Sequence, residues 1–319
     1  MIKKLIPTLA VIALSALNIT PLCAAAPLKK VLVVTATTGF RHSSIATAEK
    51  VLAQLAEQSG AFTVDYVHQP EGKPGGLKND ATDKEKADFK AAEHQWQEKL
   101  KHALQKLSPE SLKHYDGVIF ANTTGDLPIP DKEGFLNWIK AGGAFIGMHS
   151  CGDTYHGWPE FIDMLGAEFQ THGAQVGVEC LNMDPTHPAT QKLGRSWVIS
   201  QEEMYRFKNY DATKVHDLLS LDKHPNDKTP GHYPVSWCKE YGSHKSKPPQ
   251  HLAELLMRKH WGQDGGRVFY TSLGHREDIW DADPNMKDRK NSREISFAYQ
   301  AHILGGIKWA LGLEQSKAK

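Results

Sequence analysis

Ala141-Gly-Gly-Ala-Phe-Ile-Gly-Met-His-Ser-Cys-Gly-Asp153 is the stretch whose reading decides the fold. Gly142 and Gly143 break the helix that precedes them. Ala144 to Met148 is then a short apolar run, the signature of a buried strand. His149 opens a polar turn, Ser150-Cys151-Gly152-Asp153, and helix signals follow at once. Pro159 sits in a good first-turn position, Phe161, Ile162 and Leu165 share a face, and Gly166 is a stop. Strand, sharp turn and helix in succession form the unit of an open parallel sheet, and such sheets bind ligands at the carboxyl ends of their strands. The same turn carries the reactive side chain of a nucleophile elbow. Here the residue at the apex is a histidine.

Working outward, Val31 to Thr35 is a continuous apolar run and predicts the first buried strand. The loop Thr37 to Ser44 follows, with Ser43 or Ser44 as cap of a helix that carries Ile45, Ala48, Leu52 and Leu55 on one face and ends at Gly60. Phe62 to Val67 alternates as a second strand. Residues 70–113 differ in character. After a loop, Phe89, Trp96, Leu100, Leu104 and Leu107 recur at helical spacing within a Lys- and Glu-rich stretch, which predicts one long or two short amphipathic helices whose charges face solvent. Gly117 to Phe120 is the third core strand. Asp131 to Ala141 is a helix facing inward through Phe135, Leu136 and Ile139.

Beyond Gly166 the pattern shifts to shorter strands at Gly177–Asn182, Trp197–Ser200, Leu218–Leu221, Val235–Cys238 and Val268–Tyr270, with long loops at 222–233 and 239–252. A final helix, about Ile295 to Leu311, turns Phe297, Ala301, Leu304 and Trp309 inward. Strands alternating with helices predict an α/β fold, a three-layer α/β/α sandwich with a largely parallel sheet, as one domain over 26–319.

The first residues read as a targeting segment. Lys3 and Lys4 precede an apolar run, Leu5 to Leu17, too short to span a bilayer comfortably, and Cys23-Ala24-Ala25 offers a small-residue cleavage pattern. The expectation is a signal peptide over 1–25 and an exported, periplasmic or secreted protein with no stable membrane insertion. A formal net charge of +1 with scattered basic residues argues against a nucleic-acid partner. Three cysteines remain after cleavage: Cys151, Cys180 and Cys238. The odd number leaves a free thiol, and a Cys180–Cys238 bridge stays open. The sequence carries no signal for oligomeric state.

Several places gather polar groups at strand ends. His149, Glu203 and His275 form the combination with the clearest chemistry, because two imidazoles and a carboxylate suit a divalent metal, zinc above all, with an open position for water or substrate. Their spacing matches no recognised zinc motif, so each histidine alternatively just holds its own loop. His42 and Asp153 are the candidate acid or base, or else a helix-entry residue and an ordinary turn residue. Arg41, Asn122, Thr123, Tyr205 and Trp280 are candidates for binding a hydroxylated ligand, with turn chemistry or core packing as the alternative. Cys151 invites a nucleophile reading, against which stands the oxidation risk of an exposed thiol in an exported protein. The serine-hydrolase elbow G-x-S-x-G, the P-loop and the G-x-G-x-x-G fingerprint are all missing.

Phe40-Arg-His-Ser-Ser44, Gly147-Met-His-Ser150, Asp153-Thr154, His187-Pro188, Glu203-Met-Tyr205, Pro234-Val-Ser-Trp237 and Ser272-Leu-Gly-His275 together resemble the ThuA-like (trehalose-utilisation) domain family, over about residues 29–312. The resemblance implies the flavodoxin-like sandwich of the class I glutamine amidotransferase superfamily. Amidotransferases carry a catalytic cysteine in G-x-C-x-G. Here Gly147-Met148-His149 puts histidine in that position, so the amidotransferase chemistry is not expected. The family is linked to trehalose and related disaccharides, including their 3-keto derivatives, which implies a carbohydrate ligand. The sequence thus predicts a metal-assisted enzyme acting on a sugar or keto-sugar glycoside by elimination, isomerisation or hydrolysis. The alternatives are a non-catalytic carbohydrate-binding protein and, more weakly, a thiol-dependent hydrolase using Cys151.

Overall fold

The computed structural model describes residues 28–242 and 265–316. The proposed signal peptide and much of the predicted 239–252 loop lie outside the described residues. The strands are β1 (Lys29–Val34), β2 (Phe62–Val67), β3 (Gly117–Ala121), β4 (Ala144–Met148), β5 (Glu168–His172), β6 (Val176–Asn182), β7 (Ser196–Glu202), β8 (Tyr205–Lys208), β9 (His216–Lys223), β10 (Pro230–Tyr241) and β11 (Gly266–Thr271). One nine-stranded sheet has the order β2-β1-β3-β4-β11-β10-β9-β6-β7. The first five are mutually parallel, and the last four extend the sheet in antiparallel fashion from β11.

β4 is an interior strand of the parallel half, between β3 and β11, and alternation along the strands divides the core. Val31, Val33, Ile119, Ile146 and Met148 point to one side, where they meet the helices Ile45–Ser59 and Arg293–Ala310. Leu32, Val34, Val118, Phe120 and Phe145 point to the other, against Trp96 and Leu100 of the helix Asp83–Ala103, Phe135 of Lys132–Lys140 and Phe161 of Pro159–Leu165. This is the three-layer sandwich. Both faces of β1, β3 and β4 are covered, which is why their sequences read as apolar runs, whereas the edge strand β2 alternates.

Local signals place the helix ends. Gly60 and Gly166 close their helices in the left-handed region, and Asp131 accepts from the Gly134 amide at 2.8 Å as an N-cap. The charged stretch forms a single helix over Asp83–Ala103, started by a Thr82–Glu85 capping box.

Four expectations need correction. Ser44 does not cap with its side chain; its hydroxyl donates to the Gly274 carbonyl at 3.1 Å. Phe297 is 51% exposed, because the inner face of the last helix is Tyr299, Ile303 and Ile307. The predicted loop at 222–233 is shorter, with strand at both of its ends, since β9 and β10 run past the apolar residues that mark their centres. Cys180 and Cys238 are both free and buried, as is Cys151.

The elbow depends on Gly147. A Cβ there would stand 2.9 Å from both Cys151 Sγ and the Tyr270 ring, and 3.1 Å from Leu165 Cδ1. Gly147→Ala is therefore expected to destabilise the fold by about 1–3 kcal/mol, through overpacking of a site that has nowhere to expand. Urea unfolding measures this; a midpoint equal to wild type would show that the elbow is loosely packed.

Candidate metal centre

The carboxyl ends of β1, β4 and β11 share one rim, and the link between β7 and β8 reaches over it. β4 delivers His149, whose backbone sits at φ +48 where the strand breaks into a 3-10 turn over His149–Asp153. A non-glycine residue held there marks a constraint set by the surroundings. The imidazole is buried. Its Nδ1 donates to the Ser272 carbonyl at 2.8 Å, which leaves the Nε2 lone pair facing inward, where it accepts from the Tyr205 hydroxyl at 3.0 Å.

The turn after β11 delivers His275. Gly274 precedes it at φ +123, pressed against Tyr299 and Trp280, a position only glycine fits. His275 Nδ1 lies 3.2 Å from Glu203 Oε2 and 3.3 Å from His149 Nε2. The loop after β1 delivers His42, whose Nδ1 is 3.2 Å from Ser150 Oγ and whose ring stands nearly perpendicular to that of His149, with centroids 4.7 Å apart. Glu203 comes from the Glu202-Glu203-Met204 link. Met204 is in the core, and Glu202 is buried beneath the rim, where it accepts from the backbone amides of Glu203 and His275. Glu203 itself turns to the site. One ligand atom from each of His42, His149, Glu203 and His275 lies within 4.8 Å of the others, so the group is able to hold a metal ion.

Burial, followed by the nearby imidazoles of His42 and His275, holds His149 well below the ordinary histidine range. Burial and then His275 likewise push His42 down to about 4. Both are thus neutral at neutral pH, the form in which imidazole ligates. Burial opposes the charged form of His275 as well, but its hydrogen bond to Glu203 and that carboxylate's charge prevail and raise it. Burial raises Glu202 to about 7 against its amide bonds. Three imidazoles and a carboxylate, with Ser272 fixing one tautomer and Ser150 beside another ring, fit the nitrogen-and-oxygen donor set of zinc or a similar divalent ion.

The structure brings the three predicted ligands together and adds His42, read from the sequence as an acid or base, to the same cluster. Tyr205 also reaches it. Asp153 closes the turn that His149 opens and is paired with His156, Oδ1 to Nε2 at 2.6 Å; His156 Nδ1 continues to Glu168 Oε1 at 2.5 Å. Burial lowers the His156 pKa but the two carboxylates raise it further, for a net rise. Stability from these contacts is therefore full below the unfolded value of 6.5 and is lost as pH rises through the folded pKa. The difference in Tm between wild type and His156→Gln is expected to shrink over that window; a difference that grows with pH would contradict the pairing.

Other expected ligand-binding residues lie beneath the rim. Asn122, at φ +55, donates from Nδ2 to Ser44 Oγ at 2.9 Å and to the Gly274 carbonyl at 3.1 Å. The Thr123 and Thr154 hydroxyls are 2.9 Å apart, and the Trp280 indole N–H donates to Gly274 at 2.8 Å. All three predicted contacts, Asn122, Thr123 and Trp280, are fully buried and tie loops together rather than face a ligand. The physical reason is that crowded loops use such side chains to satisfy their carbonyls and hydroxyls, although Asn122 Oδ1 itself is buried without a hydrogen-bond partner. Arg41 remains exposed, with Nη1 donating to the Thr35 carbonyl at 2.8 Å. Cys151 is fully buried and burial pushes its thiol pKa up, the reverse of an activated nucleophile. Sequence reading missed His172, whose Nδ1 lies 3.0 Å from Glu203 Oε1. It sits on β5, which pairs with β8 in a separate two-stranded sheet that sets His172 opposite Tyr205. Polar Glu168–His172 carries no apolar pattern that would reveal this ribbon.

Fold and cluster together define a flavodoxin-like α/β sandwich with a histidine–carboxylate centre in the place of an elbow nucleophile. The chain belongs to the ThuA family, described as trehalose utilisation, whose family model matches residues 30–310 and which associates it with carbohydrate use. Among solved structures it is similar to a ThuA-like protein from Parabacteroides merdae ATCC 43184, at 18% identity and a TM-score of 0.59, with 92% of this chain and 93% of that one covered. A ThuA-like protein from Bacteroides uniformis ATCC 8492 is similar at 18% identity and a TM-score of 0.53, with 90% and 93% covered. At that identity the likeness shows the fold. No curated protein matches the chain. No helix among the described residues is long and apolar enough to cross a membrane.

Proposed function

We propose that the protein is an exported, metal-assisted enzyme acting on a sugar or keto-sugar glycoside. The observation that carries this is the convergence of His42, His149, Glu203 and His275 within 4.8 Å, with the Nε2 lone pair of His149 turned inward. A divalent ion held by these four, zinc by their donor chemistry, would supply Lewis acidity to a sugar carbonyl or hydroxyl. The remaining chemistry belongs to the chain. Burial pushes the Tyr205 pKa well above its ordinary value, so its hydroxyl keeps its proton and serves as a donor to a substrate oxygen. Asp153, at the end of the same turn, takes a proton at its carboxylate, and the His156–Glu168 pair behind it fixes its orientation. A keto group acidifies the neighbouring C–H, so a carboxylate base suffices to start elimination of the glycosidic oxygen or isomerisation.

The test is turnover of trehalose and 3-keto-glycosides by the protein as purified and after removal of its metal with a chelator. The account expects turnover that disappears on metal removal and returns with zinc or manganese. Undiminished turnover by the metal-free protein would overturn it, and sugar binding without turnover of any glycoside would make the protein a carbohydrate-binding protein.

A further inference from the structure

We propose that Phe40 is the stacking platform for the substrate's sugar ring and that the site therefore takes a pyranose with an exposed apolar face. The proposal rests on the carbohydrate reading of the metal centre and adds the residue that would select for a ring.

Phe40 is 67% exposed, which is unusual for an aromatic side chain in a well-packed region. Its position makes that exposure informative. The ring stands nearly perpendicular to that of His42, with centroids 4.8 Å apart, so it borders one of the four side chains of the cluster. Phe297, also strongly exposed, lies far along the chain on the last helix, with the Arg293 guanidinium 5.6 Å above its ring. Phe40 instead stands beside the His42 imidazole at the rim.

The loop that presents it is fixed. The Thr124 hydroxyl donates to the Phe40 carbonyl at 2.6 Å. The amides of Thr38 and Gly39 donate to the Thr124 carbonyl at 3.1 and 3.4 Å. Lys73 Nζ donates to the carbonyls of Thr38 and Gly39 at 3.1 and 3.2 Å. The two backbones lie so close that a Cβ on Gly39 would stand 2.9 Å from Thr124 Oγ1, and one on Gly125, at φ +73, would stand 2.6 Å from the Gly39 nitrogen. Two glycines, a threonine and a lysine hold an apolar ring out in water, beside the reactive centre. A flat ring already ordered loses little entropy on binding and offers its face to the C–H groups of a sugar, while the polar edge of that sugar turns toward the metal centre.

The experiment is calorimetric titration of the protein as purified with trehalose, methyl α-glucoside and methyl β-glucoside, on wild type, Phe40→Ala and Phe40→Trp. Bound metal and Tm are measured on each. Phe40→Ala is expected to weaken sugar binding about tenfold, and Phe40→Trp to stay within about threefold of wild type, the scale of a single aromatic contact. Metal content and Tm are expected to stay unchanged, because the side chain is exposed and offers no ligand atom of its own. Wild-type affinity in Phe40→Ala would overturn the platform and leave the carbohydrate reading standing. Loss of metal together with sugar binding would also overturn it, since the effect would then run through His42. A wild type that binds none of the three sugars would overturn the platform for plain pyranosides and leave the keto-sugar reading to the turnover test.

Discussion

His149→Ala is expected to lower divalent-ion affinity by at least about a hundredfold, since even the residues that merely orient ligands contribute ten- to a hundredfold. The His149 ring is tied at both of its nitrogens. Its Nδ1 is held by the Ser272 carbonyl at 2.8 Å, and its Nε2 meets the Tyr205 hydroxyl at 3.0 Å and His275 at 3.3 Å. Alanine removes the ligand atom and leaves a buried carbonyl and a buried hydroxyl without these partners. It should therefore also destabilise the fold by about 1–3 kcal/mol. Because that loss complicates the reading, Glu203→Gln is the companion. It keeps the volume, removes the charge beside His275, and should weaken metal binding with a smaller change in Tm. Elemental analysis and thermal melts on both variants check this. A His149→Ala protein that binds metal as tightly as wild type would remove His149 from the site.

Asp278→Ala is expected to cost about 3–5 kcal/mol, the range for removing one partner of a buried charge pair. The Asp278 carboxylate is buried and accepts from Arg276 Nε at 2.9 Å and Nη2 at 3.1 Å, from the Lys290 and Asn291 amides at 2.5 and 3.0 Å, and from Asn291 Nδ2 at 2.9 Å. These bonds gather the segment that follows His275. Burial raises the Asp278 pKa, but the bonds to Arg276 and the amides outweigh it and hold it below 3.8. A depressed carboxylate contributes stability that is present above its unfolded value and lost as pH falls through the folded one. The stability gap between wild type and Asp278→Asn, followed by urea unfolding, should therefore be constant at neutral pH and close only below pH 3.8. A gap that closes near neutrality would show that another group carries the effect.

The parallel half of the fold is legible because burial on both faces imposes continuous apolar runs. Val31–Val34, Gly117–Ala121 and Ala144–Met148 each pair as strands, and the glycines at 60 and 166 stop their helices where their freedom at positive φ is needed. The antiparallel half is harder to read. Its strands extend through polar residues such as His216 and Lys239, so only their apolar centres show. The small β5–β8 ribbon is invisible for the same reason, and with it His172.

The candidate metal centre is legible as far as strand ends predict it. His149 follows β4 directly and His275 lies in the turn just after β11, and a parallel sheet puts both on one rim. What sequence cannot separate is a polar residue that faces the rim from one that braces it. Asn122 and His42 both follow parallel strands, yet Asn122 turns under to bond Ser44 while His42 turns inward to the cluster. Trp280 reads as a rim aromatic because it follows His275 closely, but the short helix Glu277–Trp280 carries it into the core against Tyr299.

The most direct test of the metal centre is calorimetric titration of zinc into the metal-stripped wild-type protein at neutral pH, with Glu203→Gln run alongside. The account predicts saturable uptake of one ion per chain, with a rise in Tm, and weaker uptake in the variant. No saturable uptake of zinc or manganese and no change in Tm would contradict it, and the four converging side chains would then be a hydrogen-bonded brace for the rim.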